Sequence, residues 1–115
     1  MMKLESKTKN LTLIEHLEVA ESFLARGKGL LGRSSLGADQ ALWIHDCNSI
    51  HTFFMKFAID CVFVDKSLKV KAIYENVQPW RLVLPIWGAR SVVEMAAGSA
   101  RRLNMNVGDQ LNVVT

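Results

Sequence analysis

The chain has 115 residues, of which 50% are hydrophobic and 22% are charged, and this balance is typical of a globular domain rather than of a disordered, collagen-like or coiled-coil protein. The net charge of +3 arises from 14 basic and 11 acidic residues that are scattered along the chain, which argues against a nucleic-acid-binding surface. Two cysteines, Cys47 and Cys61, are too few for a disulfide framework, so we expect free thiols.

The N-terminal segment, residues 1–10, is polar, and we predict it to be an extension ahead of a single β-rich domain over residues 11–115. It lacks the apolar stretch of a signal peptide, and no apolar run in the chain is long enough for a transmembrane helix. The sequence therefore predicts a soluble, cytoplasmic protein without a membrane partner.

One helix and several strands are predicted from the spacing of apolar residues. After a first strand at residues 11–14, helical spacing predicts a helix from about Val19 to Leu31 that stops at Gly32. The apolar stripe of this helix consists of Ala20, Phe23, Leu24, Gly27, Leu30 and Leu31.

Beyond Ser34 the pattern changes to that of strands. Strands are predicted at residues 41–44, 51–55, 59–64, 68–75, 92–95 and 111–113, with a single helical turn at 97–103. Residues 41–75 should thus hold at least three strands, with a hairpin turn at Asp65–Ser67 and no helix between Phe53 and Tyr74. The predicted fold is mainly β, bordering on α+β: a compact antiparallel or mixed β-barrel, or a two-sheet sandwich, with one short N-terminal helix.

Four segments of the chain match sequence signatures of a known family, in the same order. They are Gly29–Arg33 (GLLGR), Ser49–Asp65 (SIHTFFMKFAIDCVFVD), Val93–Gly98 (VEMAAG) and Gly108-Asp109. They resemble the signatures of an uncharacterised bacterial and archaeal family known as domain of unknown function 192. Leu31 stands where that family usually has methionine and Ala58 where it usually has proline, so both positions stay apolar or small. The resemblance spans about Leu13 to Val113 and implies a compact β-rich fold with one helix, but no established activity.

The loop His45–His51 (HDCNSIH) carries the densest set of reactive side chains. His45, Cys47 and His51 are metal-ligand types, but a second ligand pair is missing, so we predict neither a metal site nor a cofactor. Cys47 and His51 could instead form a thiolate–imidazole pair, assisted by Asp60 or Glu94, as in an enzyme with a cysteine nucleophile. The simplest alternative is a polar loop between two strands.

The connection Gln78–Gly88 is unusually apolar and would expose two indole rings unless it folds back over the barrel as a lid. A small-molecule pocket needs an apolar wall and a few convergent polar groups. We therefore predict a binding pocket where this connection meets the His45–His51 loop. Its residues would be Cys47, His51, Phe53, Met55, Trp80 and Trp87.

Two carboxylates lie inside apolar strands and need partners, because burying an unpaired charge is costly. We predict that Asp60 forms a structural ion pair with Arg33, and that Glu94 either faces solvent or pairs with an arginine.

The best interpretation of the whole chain is a small binding module without catalysis, whose ligand or protein partner is unknown. One alternative is an enzyme that uses the Cys47–His51 pair. The other is a structural or assembly protein, which would show an exposed apolar patch and no pocket.

Overall fold

A computed structural model describes residues 2–115, in which nine strands form a curled seven-stranded half-barrel and a separate two-stranded sheet. The strands are β1 Met2–Ser6, β2 Leu11–Ala20, β3 Gln40–Ile44, β4 Ile50–His51, β5 Ile59–Val64, β6 Val70–Val77, β7 Leu82–Val83, β8 Ser91–Ala96 and β9 Leu111–Val114. The two short helices are α1 Phe23–Lys28 and α2 Ser99–Arg102. The predicted mainly β fold is confirmed. No helix within residues 2–115 is long and apolar enough to cross a membrane.

The large sheet has the strand order β6-β5-β8-β3-β2-β1-β9, and all of its neighbours are antiparallel except β2 and β3. The two edge strands approach each other at one end of the sheet. There the Leu111 N–H donates to the Leu68 carbonyl (2.9 Å) and the Val70 N–H donates to the Asp109 carbonyl (2.9 Å). These bonds hold the curl of the half-barrel, while β4 and β7 pair separately.

Both faces of the central strands are covered, which explains why all six residues of β5 are buried. Successive side chains of a strand point to opposite faces. Val62 therefore packs into one core with Leu4, whereas Phe63 packs into a second core with Leu30 and Met55. The second core lies between the large sheet and the loops around β4, and it is this layer that positions the candidate site.

The prediction for residues 41–75 is confirmed, since β3, β4, β5 and β6 fall there and no helix does. The hairpin turn joins β5 to β6 at the predicted place. Asp65 Oδ1 accepts from the Ser67 N–H (2.8 Å) and the Lys69 N–H (3.0 Å).

The predicted helix from Val19 to Leu31 is wrong, because β2 runs through to Ala20 and α1 covers only Phe23–Lys28. Where β2 pairs with β1, two register shifts place extra residues in β2. The buried residues Ile14 and Leu17 are therefore three positions apart, which is a spacing typical of a helix. Phe23 and Leu24 are each 81% exposed rather than buried.

The segment predicted as an extension, residues 1–10, contains strand β1. This strand pairs with β2 on one side and with β9 on the other, and its Leu4 is 1% exposed. A single buried leucine between polar residues is a weak strand signal, which is why the sequence pattern did not predict it.

Asp60 is completely buried, but its predicted ion pair with Arg33 is wrong. Its Oδ1 accepts from the Asn76 N–H (2.8 Å) and its Oδ2 accepts from the Ala100 N–H (2.9 Å). The Arg33 guanidinium instead binds Glu18 (Nη1–Oε2 2.7 Å) at the surface. Backbone donors satisfy the carboxylate without the cost of burying a guanidinium, and they tie β5 to β6 and α2.

We expect Asp60→Ala to lower the free energy of unfolding by about 3–5 kcal/mol, because it leaves two backbone N–H groups without their acceptor. Arg33→Ala should cost no more than about 1 kcal/mol, since its ion pair is exposed. Urea denaturation followed by circular dichroism measures both. Equal losses in the two variants would contradict the assignment.

Candidate functional site

A partly open pocket of about 80 Å³ lies at the second core, formed by α1, the loop that follows it, β4 and β8. We call it the Glu94 pocket. Its lining includes Glu94, Cys47, His51, Met55, Gly29 and Leu30. Three of the four segments that carry the sequence resemblance therefore meet at this one place.

Glu94 is 4% exposed, and no hydrogen bond or ion pair joins its carboxyl group to any other of residues 2–115. On β8 it stands opposite Cys61 of β5 and Leu42 of β3, which offer no cation. Burial raises the pKa of Glu94 to about 7. The prediction that Glu94 faces solvent or pairs with an arginine is thus wrong, because the fold covers both faces of β8, and Arg26, which lines the same pocket, forms its ion pair with Asp46 instead.

Gly29 leaves open space over the Glu94 carboxyl group. Its φ of +49° is a backbone conformation that glycine adopts easily. A Cβ atom at this position would lie 3.8 Å from Ile44 Cδ1 and 3.9 Å from Glu94 Oε1. A side chain here would therefore occupy the space beside the carboxyl oxygen.

Cys47 and His51 both line the Glu94 pocket, but within the described chain no hydrogen bond joins them. The Cys47 thiol donates to the Ser49 carbonyl (2.9 Å), and burial raises its pKa, which disfavours a thiolate. His51 Nδ1 accepts from the Phe53 N–H (3.3 Å). The thiolate–imidazole pair considered from the sequence is not formed.

His45 lies apart from the other two metal-ligand types of its loop. Its ring packs on Trp43 with 4.1 Å between centroids, and its Nε2 is buried without a hydrogen-bond partner in the described structure. It lines a different depression, together with Asp65 and Arg90. Nowhere in residues 2–115 do three histidine, cysteine, aspartate or glutamate side chains converge to hold a metal ion.

Four rings form what we call the aromatic strip: His51, Phe53, Trp80 and Phe54. Ring centroids lie 5.0 Å apart for His51–Phe53, 6.0 Å for Phe53–Trp80 and 4.6 Å for Phe54–Trp80. The strip is exposed to solvent, and 56% of the Trp80 surface is accessible. His51 belongs to both the strip and the pocket lining, so the strip is continuous with the pocket.

The predicted pocket residues thus divide into three groups. Cys47, His51 and Met55 line the Glu94 pocket, while Phe53 and Trp80 continue from His51 along the aromatic strip. Trp87 is 93% exposed and takes no part in the strip.

Thr52 is the residue that positions the strip, and it is completely buried. Its hydroxyl donates to the Gln78 carbonyl (2.6 Å) and accepts from the Arg81 N–H (2.9 Å). Its own carbonyl accepts from the Trp80 N–H (2.9 Å) and the Met55 N–H (3.2 Å). One side chain therefore joins the loop after β4 to the loop before β7.

Phe54 and Trp80 both have left-handed backbone conformations, with φ of +67° and +66°. Such values are uncommon for bulky residues and cost energy, so the surrounding hydrogen bonds must impose them. Strain of this kind is concentrated at functional sites.

Sequence reasoning missed Gly29 as a site residue, and it considered Glu94 only as a group that could assist the Cys47–His51 pair and not as part of the binding pocket. The signal in the sequence was the single carboxylate within the apolar run Val92–Met95, which marked a buried charge but not the cavity beside it. The cavity depends on which loop covers β8, and a local sequence pattern does not predict which loop that is.

Comparison with known proteins gives a consistent family assignment. The family model DUF192, described as Uncharacterized ACR, matches residues 3–113. UPF0127 protein PH1112 of Pyrococcus horikoshii is 30% identical over 113 residues, which cover 96% of this chain and 97% of that protein. A UPF0127 protein of Thermococcus sibiricus is 29% identical over 111 residues, with 93% and 71% covered.

Two crystal structures share the fold. A protein of unknown function from Novosphingobium aromaticivorans superposes with a TM-score of 0.79 at 23% identity, covering 96% of this chain and 82% of that one. A proposed transcription regulator from Sinorhizobium meliloti also gives 0.79, at 21% identity, with 97% and 91% covered. At such identities the likeness concerns the fold alone.

Thr52→Val should destabilise the protein by about 1–3 kcal/mol and change the fluorescence of Trp80, because it removes the hydroxyl that joins the two loops. Thr52→Ser retains the hydroxyl and is the matched control. Chemical denaturation and tryptophan emission measure the two effects. A valine variant identical to the serine variant in both would contradict the role of Thr52.

Glu94 should make stability depend on pH. Its folded pKa of about 7 lies above the ordinary value of 4.5, so the folded state is favoured below about pH 4.5 and loses this contribution as the pH rises through 7. Relative to Glu94→Gln, the free energy of unfolding should fall by about 2–3 kcal/mol between about pH 5 and 8. Urea denaturation at several pH values measures the difference, and parallel curves would contradict the burial of an ionisable Glu94.

Proposed function

The chain belongs to the DUF192 family, which is described as uncharacterised, and we propose from its own site that it is a non-catalytic module that binds a small ligand in the Glu94 pocket. The ligand would place a polar end on the carboxyl group and lay its remaining part on the aromatic strip.

The observation that supports this proposal is the Glu94 carboxyl group, which lines a partly open pocket of about 80 Å³ and has no hydrogen bond or ion pair within residues 2–115. A buried polar group without a hydrogen bond costs free energy, and proteins keep few of them. A ligand that donates to Glu94 would remove this cost on binding. The pocket also combines apolar side chains with polar ones, as binding sites do.

The aromatic strip supports binding beyond the cavity itself. Phe53 is 37% and Trp80 56% exposed, and their rings lie in line with His51 at the pocket mouth. Exposed aromatic rings bury a large area on binding, and tryptophan also offers an indole donor.

Catalysis by the residues considered from the sequence has little geometric support. The Cys47 thiol is bound to a carbonyl and has a raised pKa, so it is a poor nucleophile at neutral pH. Asp60 pairs with Met95 across the sheet, whereas Glu94 pairs with Cys61, so these two carboxylates point to opposite faces. No shared acid–base site follows from this arrangement.

Nucleic-acid binding is also disfavoured, although one protein of similar fold is described as a proposed transcription regulator. A nucleic-acid site needs basic side chains that are free to contact phosphates. Here Arg33 pairs with Glu18, Arg26 with Asp46 and Arg101 with Glu75.

We further propose a reducing compartment, such as the cytoplasm, as the place of action. Both cysteines are free thiols, and Cys61 lies in the second core.

The proposal is tested by NMR titration of the full chain with five small fragments: propylammonium, methylguanidinium, 1-propanol, acetamide and propionate. At least one fragment should shift the Met55 methyl signal and the Trp80 indole signal and leave the Trp87 indole signal unchanged. Trp80→Ala should weaken that fragment severalfold. Trp87→Ala is the matched control, because it removes an exposed indole outside the strip, and it should change nothing.

Cys47→Leu should abolish binding, since the larger side chain fills the cavity. The proposal is wrong if no fragment class shifts the Met55 methyl signal, or if the shifts persist unchanged in a folded Cys47→Leu protein.

A further inference from the structure

The Glu94 pocket contains a carboxyl group that no cation among residues 2–115 neutralises. Arg26 and Lys28 also line the pocket, but the Arg26 guanidinium is bound to Asp46 (Nη1–Oδ2 3.6 Å), whose side chain is at the surface. Neither cation opposes the effect of burial on Glu94. Glu94 therefore presents to the pocket an acceptor that is not ion-paired with any cation of the described chain.

Part of the wall around the carboxyl group is hydrocarbon. Leu30, Ile44, Ile50 and Met55 belong to the second core and line the pocket. A volume of about 80 Å³ holds only a few heavy atoms. These four side chains suit a short aliphatic chain on the ligand.

The mouth of the pocket also suits a cation. His51 stands there, and the faces of Phe53 and Trp80 follow it along the strip. Aromatic faces attract ammonium and guanidinium groups through their negative face and pack well on methylene groups.

We propose that the Glu94 pocket binds the head group of a small organic cation, an ammonium or guanidinium group carried on a short aliphatic chain. This inference rests on the proposed function and specifies the ligand class of the same site. The head group donates hydrogen bonds to Glu94, the chain contacts Met55 and Leu30, and the outer part lies against Trp80.

Binding by this mode requires ionised Glu94, so the affinity rises with pH. Several ionisable groups from neighbouring elements face the same region and must be considered: Cys61 on β5, Cys47 and His51 around β4, and Arg26 and Lys28 on α1. Because Glu94 titrates near 7, its ionised fraction rises from about a tenth at pH 6 to about nine tenths at pH 8, and the apparent affinity should rise about tenfold.

The experiment is an NMR titration of the full chain with propylammonium and with its neutral isostere 1-propanol, at pH 6 and pH 8. Propylammonium should bind at least tenfold more tightly than 1-propanol at pH 8, and about tenfold more weakly at pH 6 than at pH 8. Isothermal titration calorimetry in two buffers of different ionisation enthalpy should show proton release below pH 7. These measurements use the unmodified protein and do not depend on any variant folding.

Two variants assign the effect to its residue. Glu94→Gln has nearly the same shape without the charge, and it should remove both the preference for the cation and the pH dependence. His51→Asn removes the imidazole at the mouth, and the tenfold rise should persist in it. Loss of the rise in His51→Asn, with Glu94→Gln unaffected, would overturn the assignment to Glu94.

The same head group occurs on free amines and on lysine side chains of partner proteins. Butylammonium and Nα-acetyl-lysine N-methylamide distinguish these sources, since the second carries the peptide backbone of a lysine residue. Tighter binding of butylammonium indicates a free amine, and tighter binding of the lysine derivative indicates a partner's side chain; either result supports a cation site.

Failure of this inference differs from failure of the proposed function. If 1-propanol or propionate shifts the Met55 methyl signal at least as strongly as propylammonium does, the pocket binds a ligand of another class and the cation assignment is wrong. If no fragment of any class shifts that signal, the binding function itself is wrong.

Discussion

Two backbone N–H groups from different parts of the chain meet at the Asp60 carboxylate, and the rest of the fold depends on this contact. One belongs to Asn76 on β6, and the other belongs to Ala100 in α2. The contact fixes α2 against β5 at the end of the half-barrel. With α2 in place, β9 follows and closes the edge of the sheet against β6 through bonds such as Leu111 to Leu68. A buried carboxylate is tolerated here because each oxygen receives a donor.

Glu94 lies on the opposite face of the same strands and is a buried carboxylate that the described part of the chain does not pair. It lies one position from Met95, the residue that faces Asp60, and the alternation of side chains turns it into the second core. Asp60 receives two donors, whereas Glu94 receives none among residues 2–115 and opens into a cavity. Two carboxylates of similar burial thus differ in their surroundings, since backbone donors bind one and the other lines a pocket.

The sequence predicted the parts of this molecule whose patterns are local. The strands β3 and β5 read as continuous apolar runs because both of their faces are covered, and the hairpin turn at Asp65 follows from its side-chain bonds to nearby backbone. The helix was predicted too long because bulges in β2 changed the spacing of its buried residues. The predicted Arg33–Asp60 pair was wrong because Asp60 binds backbone N–H groups. Every residue except proline has such a group, so the sequence does not indicate which one the fold brings to the carboxylate. For the site, side-chain chemistry drew attention to His51, Phe53 and Trp80, which the structure brings together in the aromatic strip. It considered Glu94 only as an aid to the Cys47–His51 pair, because the pocket beside Glu94 depends on the loop packed over it.

The strain in the aromatic strip favours a functional role for it over a structural one. Phe54 and Trp80 have left-handed backbone conformations, and their rings are 71% and 56% exposed. The free energy gained by burying these rings is therefore too small to offset the backbone strain. Instead Thr52 imposes the conformation from within through bonds to both loops. An exposed ring that is strained into position contributes little to folding, but it loses less freedom when a ligand binds, which lowers the entropic cost of association. The buried carboxylate and the preorganised strip therefore favour the same function, since each carries a cost in the free protein that a bound ligand would offset.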